Sequence, residues 1–280
     1  ALLTFCGGPR DAGPNRRKTL IVSKSAHWER MKSTTDEIRT RFDTEVERFS
    51  NLDTGQAATM DARLCMEVVS QAAAATTPAA RDLLDIGCGA GNYTLMMLAA
   101  LQSPAAPAKP QINCTLVDLS RPMLDRARER VANATAGNVT TLQGDMRELA
   151  LSDRRFDIVL AASTLHHLRA DDEWDALFAN IHRALRPGGS FWIFDLIEQA
   201  SPALQKLMWF RYGDFLANLK GRGPAGAAYR DEVFAYIAHE DTPRPLMFQI
   251  DRLRHAGFAE ADILHKNGPF AAFGARRPPI

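Results

Sequence analysis

The stretch Leu83-Leu84-Asp85-Ile86-Gly87-Cys88-Gly89-Ala90-Gly91 decides the fold. Three apolar residues around one aspartate lead into glycines at alternate positions, and a helical pattern follows from Asn92 to Leu101. A strand that passes through glycines into a helix lets backbone approach a ligand and aims helix-start N–H groups at it. The dinucleotide fingerprint G-x-G-x-x-G needs glycine at position 92, where this chain has Asn92. The spacing here is G-x-G-x-G, with Asp85 two residues before the first glycine. A carboxylate at that place repels a pyrophosphate and suits a cationic ligand that carries no phosphate. A tight strand-to-helix turn without a ligand is the plainer alternative.

Strand and helix signals alternate downstream. Ile112 to Val117 reads as strand, Pro122 to Ala134 as helix, Val139 to Gln143 as strand and Phe156 to Ala161 as strand. Glu173 to Leu185 then reads as helix and Ser190 to Leu196 as strand. Such alternation argues a parallel sheet covered on both faces. Two helices are expected upstream, one carrying Ile38, Phe42, Val46 and Phe49, the other from about Ala57 to Ala75. Pro104 to Pro110 is a loop no helix tolerates. Residues 201–243 interrupt the rhythm with seven aromatic residues and read as a helical lid over the sheet's carboxyl edge. Leu246 to Ala256 reads as a helix stopped by Gly257. Two segments around Asn267-Gly268-Pro269 read as a terminal hairpin.

Acids stand at successive strand ends. Asp118 can accept both hydroxyls of a ribose, or be a solvated strand-end carboxylate. Asp145, after Gly144, can accept from an adenine amino group while Met146 packs on the ring, or simply mark a turn.

Leu83 to Gly91, Val117-Asp118, Gly144-Asp145-Met146, Phe156 to Val159 and Leu185-Arg186-Pro187-Gly188-Gly189 together resemble the ordered motifs of class I S-adenosylmethionine-dependent methyltransferases. The resemblance covers about residues 56–275. It implies an α/β, Rossmann-like fold: a seven-stranded, mostly parallel sheet, helices on both faces, and an antiparallel C-terminal hairpin. It implies S-adenosyl-L-methionine as cofactor, with Asp85, Gly87, Gly89 and Gly91 along the methionine moiety. Asp118, with Leu119 beside it, then takes the ribose, and Asp145 with Met146 the adenine. Cys88 lies in the loop as a packing residue, and Leu185 to Gly189 is a structural turn.

In an open α/β sheet the ligand crevice lies outside the strands' carboxyl ends. Ala161 and Ser163 are therefore expected to bind the cofactor, near its amino-acid end or the transferred methyl. His166 and His167 follow as candidates for a general base, or as packing residues. No metal is expected, because two adjacent histidines without a third ligand nearby make a poor site. Arg211, Tyr212, Tyr229 and Arg230 of the lid are candidate acceptor-binding residues, or an aromatic lid core with exposed arginines. Ala161-Ala162-Ser163-Thr164 lacks the Asn/Asp-Pro-Pro-Tyr/Phe pattern of enzymes that methylate amino groups.

The expected function is methyl transfer to a small-molecule acceptor. Arg48-Phe49-Ser50 and Arg230 also resemble carboxy-S-adenosylmethionine synthases, which adds an alternative in that reaction or in the tRNA wobble-uridine pathway. A non-catalytic cofactor-binding protein is a third reading. A formal net charge of +1 offers no field to recruit nucleic acid, which is disfavoured without being excluded. No apolar run of membrane-spanning length exists. Cys6, Cys65, Cys88 and Cys114 form no C-x-x-C pair and no cluster with zinc spacing, and such scattered thiols make the cytoplasm the expected compartment. Residues 1–34 read as a flexible tail before a methyltransferase domain at 35–280, with a basic RNA-binding arm as the alternative for the tail. A homodimer is compatible with the sequence, which does not fix the oligomeric state.

Overall fold

The computed structural model describes residues 32–102 and 109–279. The tail up to Met31 and most of the Pro104–Pro110 loop lie outside them. The order of elements follows the alternation read from the sequence. Strand β1 (Asp82–Ile86) leads into α5 (Asn92–Leu101), β2 (Asn113–Asp118) into α6 (Arg121–Ala132), and β3 (Val139–Gln143) precedes β4 (Phe156–Ala162). Helix α7 (Asp171–Ala184) joins β4 to β5 (Leu185–Leu196), and β6 (Ala259–Asn267) and β7 (Phe270–Arg276) close the chain.

The seven strands stand in the order β3-β2-β1-β4-β5-β7-β6. The first five are parallel; β7 runs antiparallel to both β5 and β6. Chain order reverses between β1 and β4, so the crevice outside their carboxyl ends is the topological switch point where such sheets bind ligands. Adjacent residues of β1 feed different cores, as strand geometry requires. Leu83 joins Met66, Met97, Leu116 and Trp192 on one face; Leu84 joins Val159, Trp174, Phe178 and Phe273 on the other.

Among the described residues four helices precede the sheet: α1 (Thr35–Thr44), α2 (Val46–Ser50), α3 (Leu52–Gly55) and α4 (Ala62–Thr76). Thr34 and Glu37 form a reciprocal capping box at the start of α1. The single amphipathic helix expected over Ile38 to Phe49 is broken at Glu45, and the break turns Phe42 and Phe49 towards each other, ring centroids 5.6 Å apart. Helix α4 starts five residues later than expected. Asp61, with φ of 56°, is held there by His265 and Asn267 of β6 at 2.9 and 2.8 Å. That long-range tie has no local sequence signal. The segment Leu185–Gly189, expected as a turn, already belongs to β5, and Arg186 pins it to Asp82 and Asp157 at 3.0 and 2.9 Å.

The insertion forms two long helices, α8 (Pro202–Leu219) and α9 (Gly223–Glu240), before α10 (Leu246–His255). Gly257, at φ of 100°, ends α10 as expected. No helix among the described residues is long and apolar enough to cross a membrane.

Candidate active site

The glycine loop is built against the tips of β2 and β4. Gly87 and Cys88 both donate to the Val117 carbonyl, at 2.8 and 2.9 Å, folding the chain back over the end of β2. Gly87 sits at φ of 70°, and a Cβ there would lie 2.3 Å from Thr164 Oγ1, so only hydrogen fits. The Gly89 N–H donates to one oxygen of Asp118 at 2.8 Å, and Ser120 N–H donates to the other at 2.9 Å. Burial pushes the Asp118 carboxyl up, against the pull of these amides.

A cavity of about 840 Å³ opens above this loop. Gly87, Cys88, Gly89, Asp118, Leu119, Asp145 and Met146 line one end of it. Asp145 is held by Arg147 and lies 3.5 Å from the Thr35 hydroxyl; burial alone would raise its pKa, and Arg147 outweighs that and lowers it. Three residues placed here by sequence reasoning stand behind the surface. Asp85 is buried beneath the loop, where it accepts from Thr94 Oγ1 at 2.5 Å, and burial lifts it to about 7. Gly91 packs against Ala127 and Val131 of α6, and Ala161 is wholly buried in β4. Their strand and turn positions shape the loop without facing the cavity.

The other end of the cavity lies under the lid. Ser163 lines it at a left-handed φ of 54°, a strained conformation for a residue with a Cβ. Its hydroxyl is 3.3 Å from that of Tyr93. Phe42, Tyr229 and Tyr236 add aromatic wall, and Tyr212, fixed by a hydrogen bond to the Ala58 carbonyl at 2.9 Å, adds another. Phe42, Tyr93 and Tyr236 were not singled out from the sequence, since each sits on a different element. The two arginines are not brought in. Arg211 is exposed, and Arg230 pairs with its neighbour Asp231 at 2.8 Å outside the lining. Helix periodicity points position 211 outward once Tyr212 is buried.

His166 and His167 both line the cavity. Nδ1 of His166 bonds to Asp195, whose carboxylate is itself held by the N–H groups of Thr164, Leu165 and Leu196 at 3.3, 2.7 and 2.6 Å. Asp195, at the end of β5, is buried and acts through His166 instead of facing the cavity. A third group joins the pair, contrary to the expectation of two histidines alone. Asp241 follows α9, and Thr242 N–H donates to the His166 carbonyl at 2.7 Å. That tie sets the Asp241 carboxylate 3.6 Å from Nε2 of His166 and 3.6 Å from Nδ1 of His167. Burial alone would lower His166, but Asp195 and Asp241 outweigh it and hold the ring at about 9. Burial and the neighbouring His166 lower His167, and burial raises Asp241 to about 6.

Residues 83–189 match the family model described as a methyltransferase domain. This match, the fold and its switch-point crevice support a class I S-adenosylmethionine-dependent methyltransferase. Over 206 residues it is 28% identical to a demethylmenaquinone methyltransferase of Listeria monocytogenes serotype 4a (strain HCC23), covering 70% of this chain and 78% of that one. Over 122 residues it is 32% identical to the 27-O-demethylrifamycin SV methyltransferase of Amycolatopsis mediterranei (strain S699), covering 43% and 40%. Human N-acetylserotonin methyltransferase, solved with S-adenosylmethionine, shares the fold at a TM-score of 0.53 and 16% identity, over 90% of this chain and 65% of that one.

S-adenosylmethionine is the cofactor. The residues present fit that cofactor. At Gly89 and Gly144, which line the cavity, a Cβ would project into open space, leaving a cradle free of side chains. Each Asp118 oxygen has one amide donor and keeps a lone pair for a hydroxyl. When bound, the cofactor supplies an activated methyl sulfonium that needs chiefly an aligned nucleophile.

Proposed function

We propose that the chain transfers the methyl group to a hydroxyl on an apolar, ring-bearing small molecule. The observation that carries this reading is the division of one cavity. A glycine-and-acid end faces a wall of Phe42, Tyr212, Tyr229 and Tyr236, with a polar cluster of His166, His167 and Asp241 between lid and sheet. Backbone of Gly87, Cys88 and Gly89 borders the methionine part of the cofactor, Asp118 takes the ribose hydroxyls, and Leu119, Asp145 and Met146 surround the adenine. Asp85 acts on the cationic end through its charge, from behind the loop. Ser163 and Tyr93 border the transferred methyl. His166 and His167 meet the acceptor hydroxyl, and the aromatic wall takes its apolar body. The relatives named for demethylmenaquinone and 27-O-demethylrifamycin SV support an apolar, ring-bearing acceptor, and the second name supports a hydroxyl as the acceptor group.

Residues 35–280 form the methyltransferase domain in this reading, with 201–243 as its lid. Cys65, Cys88 and Cys114 are buried and free, which favours a reducing compartment, the cytoplasm. Leu204, Leu207 and Phe210 form an exposed apolar row on α8, with Phe210 68% exposed, which supports a homodimer through the lid.

The test is incubation with S-adenosylmethionine and a panel of phenols, quinols and hydroxylated macrocycles. S-adenosylhomocysteine release together with a product one methyl heavier is the expected result. Release only with amines or with tRNA contradicts the reading, and binding without release under any acceptor points to a non-catalytic protein.

A further inference from the structure

The cluster beneath the lid has a feature that hydrogen bonding does not explain. Asp241 is 5% exposed, and its Oδ1 is buried with no hydrogen-bond partner among the described residues; the same holds for Nδ1 of His167. Both atoms line or adjoin the cavity, and Nε2 of His166 comes to the same point. The separations of 3.6 Å are too long for hydrogen bonds. They match the spacing of roughly 3.3–3.6 Å between ligand atoms that each lie 2.0–2.2 Å from one tetrahedral ion. Buried polar atoms are as a rule paired, so two of them converging unpaired beside Nε2 of His166 call for an occupant.

We infer that His166, His167 and Asp241 form a binding site for a divalent first-row metal ion of the zinc type. Two imidazoles and one carboxylate are a donor set that such ions favour over calcium or magnesium. The supporting groups are in place as well. A metal-bound histidine commonly gives its other nitrogen to a carboxylate, and Asp195 holds Nδ1 of His166 in that manner, itself fixed by three backbone N–H groups. His166 is thereby oriented with Nε2 towards Asp241 and His167. The protein supplies three ligands and the fourth direction opens into the cavity, the arrangement of a catalytic, not a structural, metal site. In the reading proposed above, on which this role rests, that position receives the acceptor's oxygen. The metal thus adds acceptor recognition to an enzyme whose cofactor end needs no ion.

Tag-free protein, stripped with chelator and desalted, is dialysed against zinc chloride and, separately, cobalt(II) chloride. Bound metal is counted by mass spectrometry, and the visible absorption of cobalt reports its coordination. One equivalent per chain is expected, with the intense bands of four- or five-coordinate cobalt. Asp241→Asn and His167→Gln each weaken binding at least tenfold, and Asp195→Asn about 10- to 100-fold. His265→Ala, which removes a distant surface histidine beside Asp61, leaves binding unchanged. S-adenosylhomocysteine affinity is measured on the same samples and is expected to be equal in wild type and Asp241→Asn, which also reports that the variant folds. Failure of wild type to take up one equivalent overturns the metal site, as does metal binding indifferent to Asp241. Failure to bind S-adenosylhomocysteine overturns the methyltransferase site instead, so the two outcomes stay distinct.

Discussion

The two ends of the cavity are assembled in different ways. The end proposed for the cofactor is made by strand tips and the turns that follow them: Gly87 to Gly89 after β1, Asp118 after β2, Asp145 after β3. Each piece is short, contiguous in sequence and forced by backbone geometry. The acceptor end is a meeting of distant elements. Phe42 comes from α1, Tyr212 from α8, Tyr236 from α9, and Asp241, 75 positions further along the chain, reaches His166 by way of the Thr242 amide. In the proposed reading the cofactor is thus held by local geometry and the acceptor by tertiary packing.

Substitutions that break local geometry should therefore cost most. Gly87→Ala places a methyl 2.3 Å from Thr164 Oγ1 at a positive φ. It is expected to destabilise the fold by about 3 kcal/mol or more in denaturant melts and to abolish detectable cofactor binding. A variant with wild-type stability and affinity would show that the loop is not rigid. Asp118→Ala comes next. It strips the Gly89 and Ser120 amides of their acceptor and is expected to weaken S-adenosylhomocysteine binding by roughly 1–3 kcal/mol by calorimetry. Equal affinity would remove the ribose assignment.

Asp85 gives a pH signature confined to the cofactor end. Burial lifts it from 3.8 to about 7, so across that window the folded chain keeps a proton the unfolded chain has released. Its contribution to stability therefore falls as pH rises from about 4 to 7. Asp85→Asn, which still accepts from Thr94, is expected to be more stable than wild type at pH 8 by about 1–3 kcal/mol, with the gap closing near pH 4. It should also bind the cationic cofactor less well. Parallel melting curves with pH would mean that Asp85 is not perturbed.

At the lid end single changes should be milder. Tyr212→Phe loses only the hydrogen bond to Ala58 and is expected to cost about 0.5–1.5 kcal/mol, raising KM for acceptor with KM for cofactor unmoved. Arg211→Ala, on an exposed position, is expected to leave both within twofold. A large loss of acceptor binding there would put the arginine back in the site.

Legibility in the sequence divides along the same line. The alternation of strands and helices, the hairpin and the helical nature of the insertion were all readable, because apolar periodicity and glycine or proline punctuation are local. The start of α4 at Asp61 was not, since residues of β6 some two hundred positions away fix it. Of the site, the glycine loop, Asp118 and the His166-His167 pair were legible as motifs. The inward or buried orientation of Asp85, Gly91 and Ala161 was not, because a motif gives position along a strand and not depth below a surface. Asp241 carried no signal at all: it is one acid at the end of a lid helix, and only the fold brings it to the histidines.

The most direct test of the divided cavity is a crystal structure with S-adenosylhomocysteine. The expected result is the ribose on the Asp118 carboxylate, the adenine between Leu119 and Met146, and the sulfur turned towards Ser163 and the His166-His167-Asp241 cluster. Density for the nucleoside among Phe42, Tyr212 and Tyr236 instead, with the glycine loop untouched, would contradict it.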